Sequence, residues 1–285
     1  MIELDKAGYV AVATPGTRLG FDVGLRQSGP TGQLWLELEP DPTRLHVFGL
    51  EGDPLTAWSL RLALDSRLAT ANRTSVASLR ARAAQYTLVP AACGEADGYA
   101  QLELGHHHAG VGAGLPRSRN MHVASSNGGR SRGRVVAADA ADDAADGVGV
   151  VTAHTGVATV PVLRLERILD AVRADAVLEV LKIDAKGADA DVLRGVGLHH
   201  LRRFRCVVGE FGGAGGAGST GRRSGRSVVA LLQNAGFRRY RGVWFNLHAA
   251  AAFGQMQEPN LCFNHEMKGG WPNEDIARFL EREVE

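Results

Sequence analysis

Four acidic residues each end a short apolar run in this chain, Asp22, Glu51, Asp184 and Glu210, and Glu95 follows just after another such run. A carboxylate delivered by the end of a buried strand can accept hydrogen bonds from a ligand hydroxyl or take its proton. Asp22-Val23-Gly24, with further glycines at 29 and 32, makes a loop where backbone can approach a ligand closely. Glu51 ends the following strand, about where a Rossmann-type fold places the acid that holds ribose hydroxyls. A nucleoside ligand is therefore expected. The stretch DVGLRQSGPTG lacks the G-x-G-x-x-G spacing of a pyrophosphate cradle, and the chain has no Walker A sequence. A nucleoside without phosphates fits better.

These acids need strands behind them. Residues 8–14, 19–24, 45–51, 86–93, 157–163, 178–184 and 204–210 read as strands, and 239–247 and 260–264 as two more that finish the sheet. Residues 99–104 alternate like a half-buried antiparallel strand. Helical patterns fall at QLWLELE before Pro40, across 55–85, at RLERILDAVR, after Gly187, and over 227–237 with Gly236 as its cap. Strands alternating with helices predict an α/β fold, a mainly parallel sheet with helices on both faces. The chain reads as a single domain over 1–285. It carries two Gly- and Arg-rich insertions, at 105–150 and 211–227, too poor in apolar residues to pack.

Composition narrows the classes. With 285 residues and 45% hydrophobic content the chain can bury a full core. A formal net charge of +1 argues against a nucleic-acid partner. No stretch approaches the roughly 20 apolar residues of a membrane span, and the first residues do not read as a secretory signal. A cytoplasmic location is the default. Three cysteines without a CxxC pair support neither a zinc site nor a disulfide framework; Cys93 and Cys206 read as buried thiols, in keeping with a reducing compartment. Oligomeric state is not legible. The run His106–His108 does not share one face, so no metal site is expected there, and His199-His200 read as a helix end. Arg-rich 222–226 lacks the interleaved aromatics of an RNA-binding patch, and Trp58 and Trp244 read as core or rim.

S-adenosylmethionine is the common phosphate-free nucleoside cofactor, and the motifs agree with it. FDVGLRQSG (21–29), VFGLEGDP (47–54), AACGEADG (91–98) and LKIDAKGADADVLRG (181–195) follow one another in order, with VPVLRLERILD upstream of the last. In this the chain resembles FkbM-type S-adenosylmethionine-dependent methyltransferases, whose first motif is DVGAN-G-like and whose signature is KIDVEGAE-VLKG. The resemblance implies a Rossmann-like class I methyltransferase fold. Asp22 and Gly24 would face the methionine end of the cofactor, Glu51 its ribose and Glu95 its adenine. It also implies O-methylation of a sugar or small-metabolite hydroxyl. Two motifs depart from the pattern: Leu25-Arg26-Gln27-Ser28 replaces the usual Ala-Asn-x-Gly, and in the signature Lys186 and Asp189 stand where relatives have glutamate.

Methyl transfer from a sulfonium to a hydroxyl is an in-line displacement, in which the protein positions the acceptor and disposes of its proton. Asp184 is the expected general base or acceptor-orienting group, or else a cap for the helix that follows it. Lys182 and Glu210 are the acceptor-site candidates. The alternative function is a degenerate methyltransferase-like binding or scaffolding domain without catalysis.

Overall fold

The computed structural model describes residues 17–25, 31–41, 43–70, 85–104, 156–172, 174–185, 188–209, 211, 219–255, 260–263 and 272–284. Among them the chain forms β1 (Arg18–Val23), α1 (Thr31–Leu38), β2 (Leu45–Leu50), α2 (Pro54–Thr70), β3 (Tyr86–Val89), β4 (Ala92–Cys93), β5 (Gly98–Leu104) and β6 (Gly156–Leu163). It continues through α3 (Leu165–Ala171), β7 (Val177–Ile183), α4 (Asp189–Val196), α5 (Leu198–Leu201), β8 (Phe204–Gly209), α6 (Ser219–Asn234), β9 (Phe237–Tyr240), β10 (Val243–Asn246), α7 (Ala250–Gln255) and α8 (Asn273–Val284). The strand expected at 8–14 and the insertion at 105–150 lie outside the described residues. No described helix is long and apolar enough to cross a membrane.

Seven strands form one sheet in the order β3-β2-β1-β7-β8-β10-β9. All pairings are parallel except those of β10, which runs antiparallel to β8 and to β9. The chain builds outward from β1 to β3 and then returns to lay β7 on the other side of β1. That reversal is a topological switch point, where open α/β sheets bind ligands. β1 and β2 are buried along their whole length because both faces are covered. On one face Phe21, Phe48, Leu181 and Phe204 pack against Ile168 of α3, Leu193 of α4 and Leu232 of α6. On the other, Val47, Val180 and Val208 share a core with Trp35 of α1, Phe253 of α7 and Ile276 and Leu280 of α8. This is the mainly parallel α/β fold that the strand–helix alternation predicts, in the Rossmann-like form that the resemblance implies.

The structure corrects several expectations. The single strand expected over 86–93 is two, because Pro90 cannot donate to a ladder. β3 joins the large sheet, whereas β4 pairs with β6 in a second sheet of order β4-β6-β5. The strand expected at 239–247 is a tight hairpin, with Arg241 and Gly242 both at positive φ (47° and 93°) in the manner that right-twisted strands prefer. Residues 260–263 are buried but form no strand. The loop expected over 211–227 is helical from Ser219 onward. Cys206 is no free thiol. It is disulfide-bonded to Cys262, 56 residues away, a separation at which no local spacing rule operates.

One buried feature had no sequence signal. Between Leu19↔Leu178 and Gly20↔Val180 the β1–β7 register shifts, leaving Glu179 as the extra residue of a bulge. Its buried carboxylate accepts from Arg205 Nη1 (2.7 Å) and lies 3.3 Å from Arg18 Nη2, while Arg18 Nη1 pairs with Glu39 at 2.8 Å. Charge at such depth is tolerated because it is paired, and removing one partner is costly. Replacing Arg18 by Leu is expected to lower stability by about 3–5 kcal/mol, the scale for stranding a buried charge. Denaturant unfolding of the variant beside the parent protein measures this, and a loss under about 1 kcal/mol, the scale of an exposed pair, would contradict it.

Candidate active site

The switch point is assembled around Asp22. This acid lies opposite Lys182 in the β1–β7 register, with no exposed surface. Lys182 Nζ approaches Asp22 Oδ1 at 2.9 Å and donates to the Gly24 carbonyl at 2.9 Å. The second carboxylate oxygen, Oδ2, accepts from the Gly32 amide at 2.9 Å. Gly32 is the second residue of α1, and a helix's first amides lack intrahelical acceptors. Asp22 therefore supplies an acceptor and a negative charge at the helix's positive end. One carboxylate holds together the end of β1, the end of β7 and the start of α1.

Gly24 completes the junction. Its amide donates to Leu50 O (3.0 Å), and the Asp184 amide donates to Val23 O (2.9 Å), which draws the ends of β1, β2 and β7 together. At φ +77° a Cβ on residue 24 would lie 2.2 Å from the Asp184 carbonyl oxygen, so only glycine fits this close approach.

Glu51 follows β2 and turns back on its own loop. Oε1 accepts from the Asp53 amide at 2.8 Å. Burial pushes its carboxyl up from 4.5 to about 7; the charge of Asp53 adds to this, while the Asp53 and Leu25 amides and the Lys182 charge oppose it. Asp53 in turn caps α2, accepting from the Leu55 amide and the Thr56 hydroxyl, both at 2.9 Å, with Pro54 in the first helical position. Tyr86, at the start of β3, is buried beside these acids. Burial first, then the charges of Asp22 and Glu51, push its phenol well above its ordinary range, so it remains a donor. Burial and then Glu51 also raise Cys93, to about 12, which keeps its thiol inert.

Asp184 stands half-buried just past β7, beside Gly24. Asp189, the first residue of α4, bonds back to this strand end, its Oδ1 accepting from the Ala185 amide at 2.9 Å. Lys186 and Gly187 lie outside the described residues, as does Glu210. Lys182 reaches into the junction, toward Asp22. Glu95 is set apart from these groups. Its side chain is 60% exposed and 3.6 Å from Arg194 of α4, which also pairs with Asp191 at 2.7 Å. The adjacent backbone explains Gly195 of the signature, where a Cβ would lie 1.9 Å from Gly94 O. Strand-end reasoning thus finds Asp22, Gly24, Glu51 and Asp184 together, and it missed Tyr86 and Asp53; the signature marks Asp189 only as a substitute for the family's glutamate. The Asp53-Pro54 pair is a helix-start signal that would have revealed Asp53; Tyr86 had none.

A second polar group sits elsewhere. Asp170, His199 and His200 place ligand-type atoms within 4.8 Å of one another. Arg203 Nη1 lies 3.1 Å from His200 Nδ1, and Nε2 lies 2.8 Å from Asp170 Oδ1. Since guanidinium can only donate, Nδ1 accepts and Nε2 carries the hydrogen to Asp170. Burial lowers the pKa of this histidine, keeping it neutral in that role.

The family model described as the methyltransferase FkbM domain matches residues 23–239. Among solved structures, the methyltransferase FkbM from Methylobacillus flagellatus KT is similar at 10% identity and a TM-score of 0.39, over 82% of this chain and 44% of that one. The chain thus spans less than half the length of that protein. No curated protein matches it.

The raised Glu51 has a consequence for stability. Below pH 4.5 the carboxyl is protonated whether the chain is folded or not, and its burial carries no charge penalty. Between pH 4.5 and about 7 the unfolded carboxyl ionises while the folded one keeps its proton, so stability falls across that window and levels off above it, where the folded state too carries the charge. Glu51→Gln keeps the acceptor oxygen and removes the charge. It should stabilise the protein at pH 8 by about 2–3 kcal/mol and scarcely at pH 4.5. Unfolding free energies that shift equally at both pH values would rule this out.

Proposed function

The chain belongs to the FkbM methyltransferase family, and we propose that it uses S-adenosylmethionine to methylate a hydroxyl on a sugar or other small metabolite. The observation that carries the reading is the polar junction at the sheet's switch point, where Asp22, Gly24, Glu51 and Asp184 converge. The residues suit a nucleoside. Among the described residues the buried Tyr86 hydroxyl has no hydrogen-bond partner, and it lies beside two carboxylates, a mixture of donor and acceptors that matches ribose hydroxyls and bridging water.

When bound, the cofactor supplies an electrophilic methyl group on a sulfonium. Everything else falls to the chain. Glu51, in its charged form, accepts hydrogen bonds from the ribose hydroxyls. Asp22 and Gly24 face the methionine end, and Glu95 the adenine side. Asp184 orients the acceptor hydroxyl or takes its proton, with Glu210 as a further wall of the acceptor site. Lys182 acts one step back, setting the carboxylate of Asp22 and the carbonyl of Gly24.

A second reading, a binding or scaffolding domain without catalysis, is favoured by that same lysine. Its ammonium already engages both the carboxylate and the carbonyl that the cofactor end would face. Calorimetric titration with S-adenosylhomocysteine separates the two. Binding supports the enzyme; no binding at millimolar ligand with the fold intact supports the scaffold. Affinity should rise with pH through about 7 as Glu51 ionises. Glu51→Ala should weaken binding by about 1.5–3 kcal/mol, the scale of a hydrogen bond to a charged group. Asp184→Asn should lower kcat by about 100-fold or more if Asp184 takes the proton. Turnover within a few-fold of the parent would remove Asp184 from that role.

A further inference from the structure

The disulfide lies on the sheet face that α1 covers, and a continuous set of contacts runs from it to Asp22. Cys206 sits in β8 and Cys262 in the segment 260–263, both fully buried. That segment is pinned at both ends. Asn260 Nδ2 donates to Asn273 Oδ1 at the start of α8 (2.8 Å), and its Oδ1 accepts from the Cys262 amide (3.2 Å). The next carbonyl, of Phe263, accepts from Trp35 Nε1 at 3.3 Å. Trp35 is fully buried in α1, and its ring lies directly over Gly20, where a Cβ would come within 3.0 Å of it. One turn earlier in the same helix, Gly32 donates to Asp22.

We infer that the Cys206–Cys262 disulfide is a positioning link for the ligand crevice. By fixing 260–263 beneath Trp35 it holds the first turn of α1 on the Asp22 carboxylate, so the order of that turn and the crevice's affinity depend on the thiol–disulfide state. The affinity arm rests on the cofactor reading above; the α1 arm does not. A dithiol supplies the chemistry. One thiolate attacks a protein sulfur and expels the other as thiolate. The reagent's second thiol then closes its own disulfide, and the protein gains two electrons and two protons as Cys206 and Cys262 thiols. Both sulfurs are buried, so exchange requires 260–263 to lift from the sheet.

The test uses the full chain, untreated, reduced with dithiothreitol, and reoxidised. Thiol counting after denaturation without reductant should find one thiol, Cys93, of the three cysteines; three would overturn the link at the outset. Hydrogen–deuterium exchange should then show amides of α1 speeding up about tenfold or more on reduction, while α3 and α4 on the opposite face stay unchanged. Uniform acceleration would mean that the bond only adds global stability, and no acceleration would mean that it positions nothing; either overturns the proposal. Cys206→Ala/Cys262→Ala repeats the reduced arm where reagent cannot reach the sulfurs. Trp35→Phe, with the disulfide intact, should reproduce part of the α1 effect by removing the Phe263 hydrogen bond. Affinity for S-adenosylhomocysteine should fall about threefold or more on reduction and return on reoxidation; equal affinity overturns the connection to the crevice. If neither state binds while α1 responds, the cofactor reading fails and the positioning link stands.

Discussion

The ion pair between Asp22 and Lys182 is the interaction on which the ligand-facing end of the sheet depends. Both groups are buried, and taking each out of water costs several kcal/mol that mutual attraction recovers only with good geometry and further hydrogen bonds. The β1–β7 register places them opposite each other, and the remaining capacity is used locally, by the Gly32 amide on one side and the Gly24 carbonyl on the other. The pair thus converts two strand ends and a helix start into one rigid junction. Asp184 is aligned with it through the backbone ladder and the close packing against Gly24.

The two faces of the sheet do different work. The face covered by α3, α4 and α6 is apolar and supplies hydrophobic burial. The face covered by α1 and the carboxy-terminal helices carries a row of charge along β1 and β7: Arg18 with Glu39, Glu179 at its bulge, and Asp22 with Lys182. Fixed charges of this kind tune their neighbours. Glu51 is poised near neutrality by burial against nearby amides and Lys182, and Tyr86 is held as a donor beside two acids. Groups perturbed in this way by burial and named charges are what a binding or proton-handling site requires.

Sequence and structure agree where the controlling physics is local. The acids Asp22, Glu51 and Asp184 were legible because a buried parallel strand has a polar end, and the apolar run before each acid marks it. Asp53-Pro54 carries a helix-start signal of the same local kind, which went unread. The signature 181–195 reads as strand, turn and helix, and the structure has its strand end at Ile183 and its helix from Asp189. Failures occur where the partner is remote. Nothing near Cys206 announces Cys262, nothing near Glu179 announces a bulge stabilised by Arg18 and Arg205, and Tyr86 joins the site only because β3 lies beside β2.

The strand-end acids therefore divide into what is local and what is not. The sequence by itself determined the alternation of elements, the α/β class, the family and the identity of the strand-end acids, because burial periodicity and turn chemistry act within a few residues. Only the tertiary structure decided that Lys182 turns inward to lock Asp22, that Glu95 faces solvent, and that Glu51 titrates near pH 7. It alone also decided that a disulfide backs the helix over the crevice. Each of these is set by strand register, by the depth of burial, or by a contact between segments far apart in the chain. No local rule encodes them.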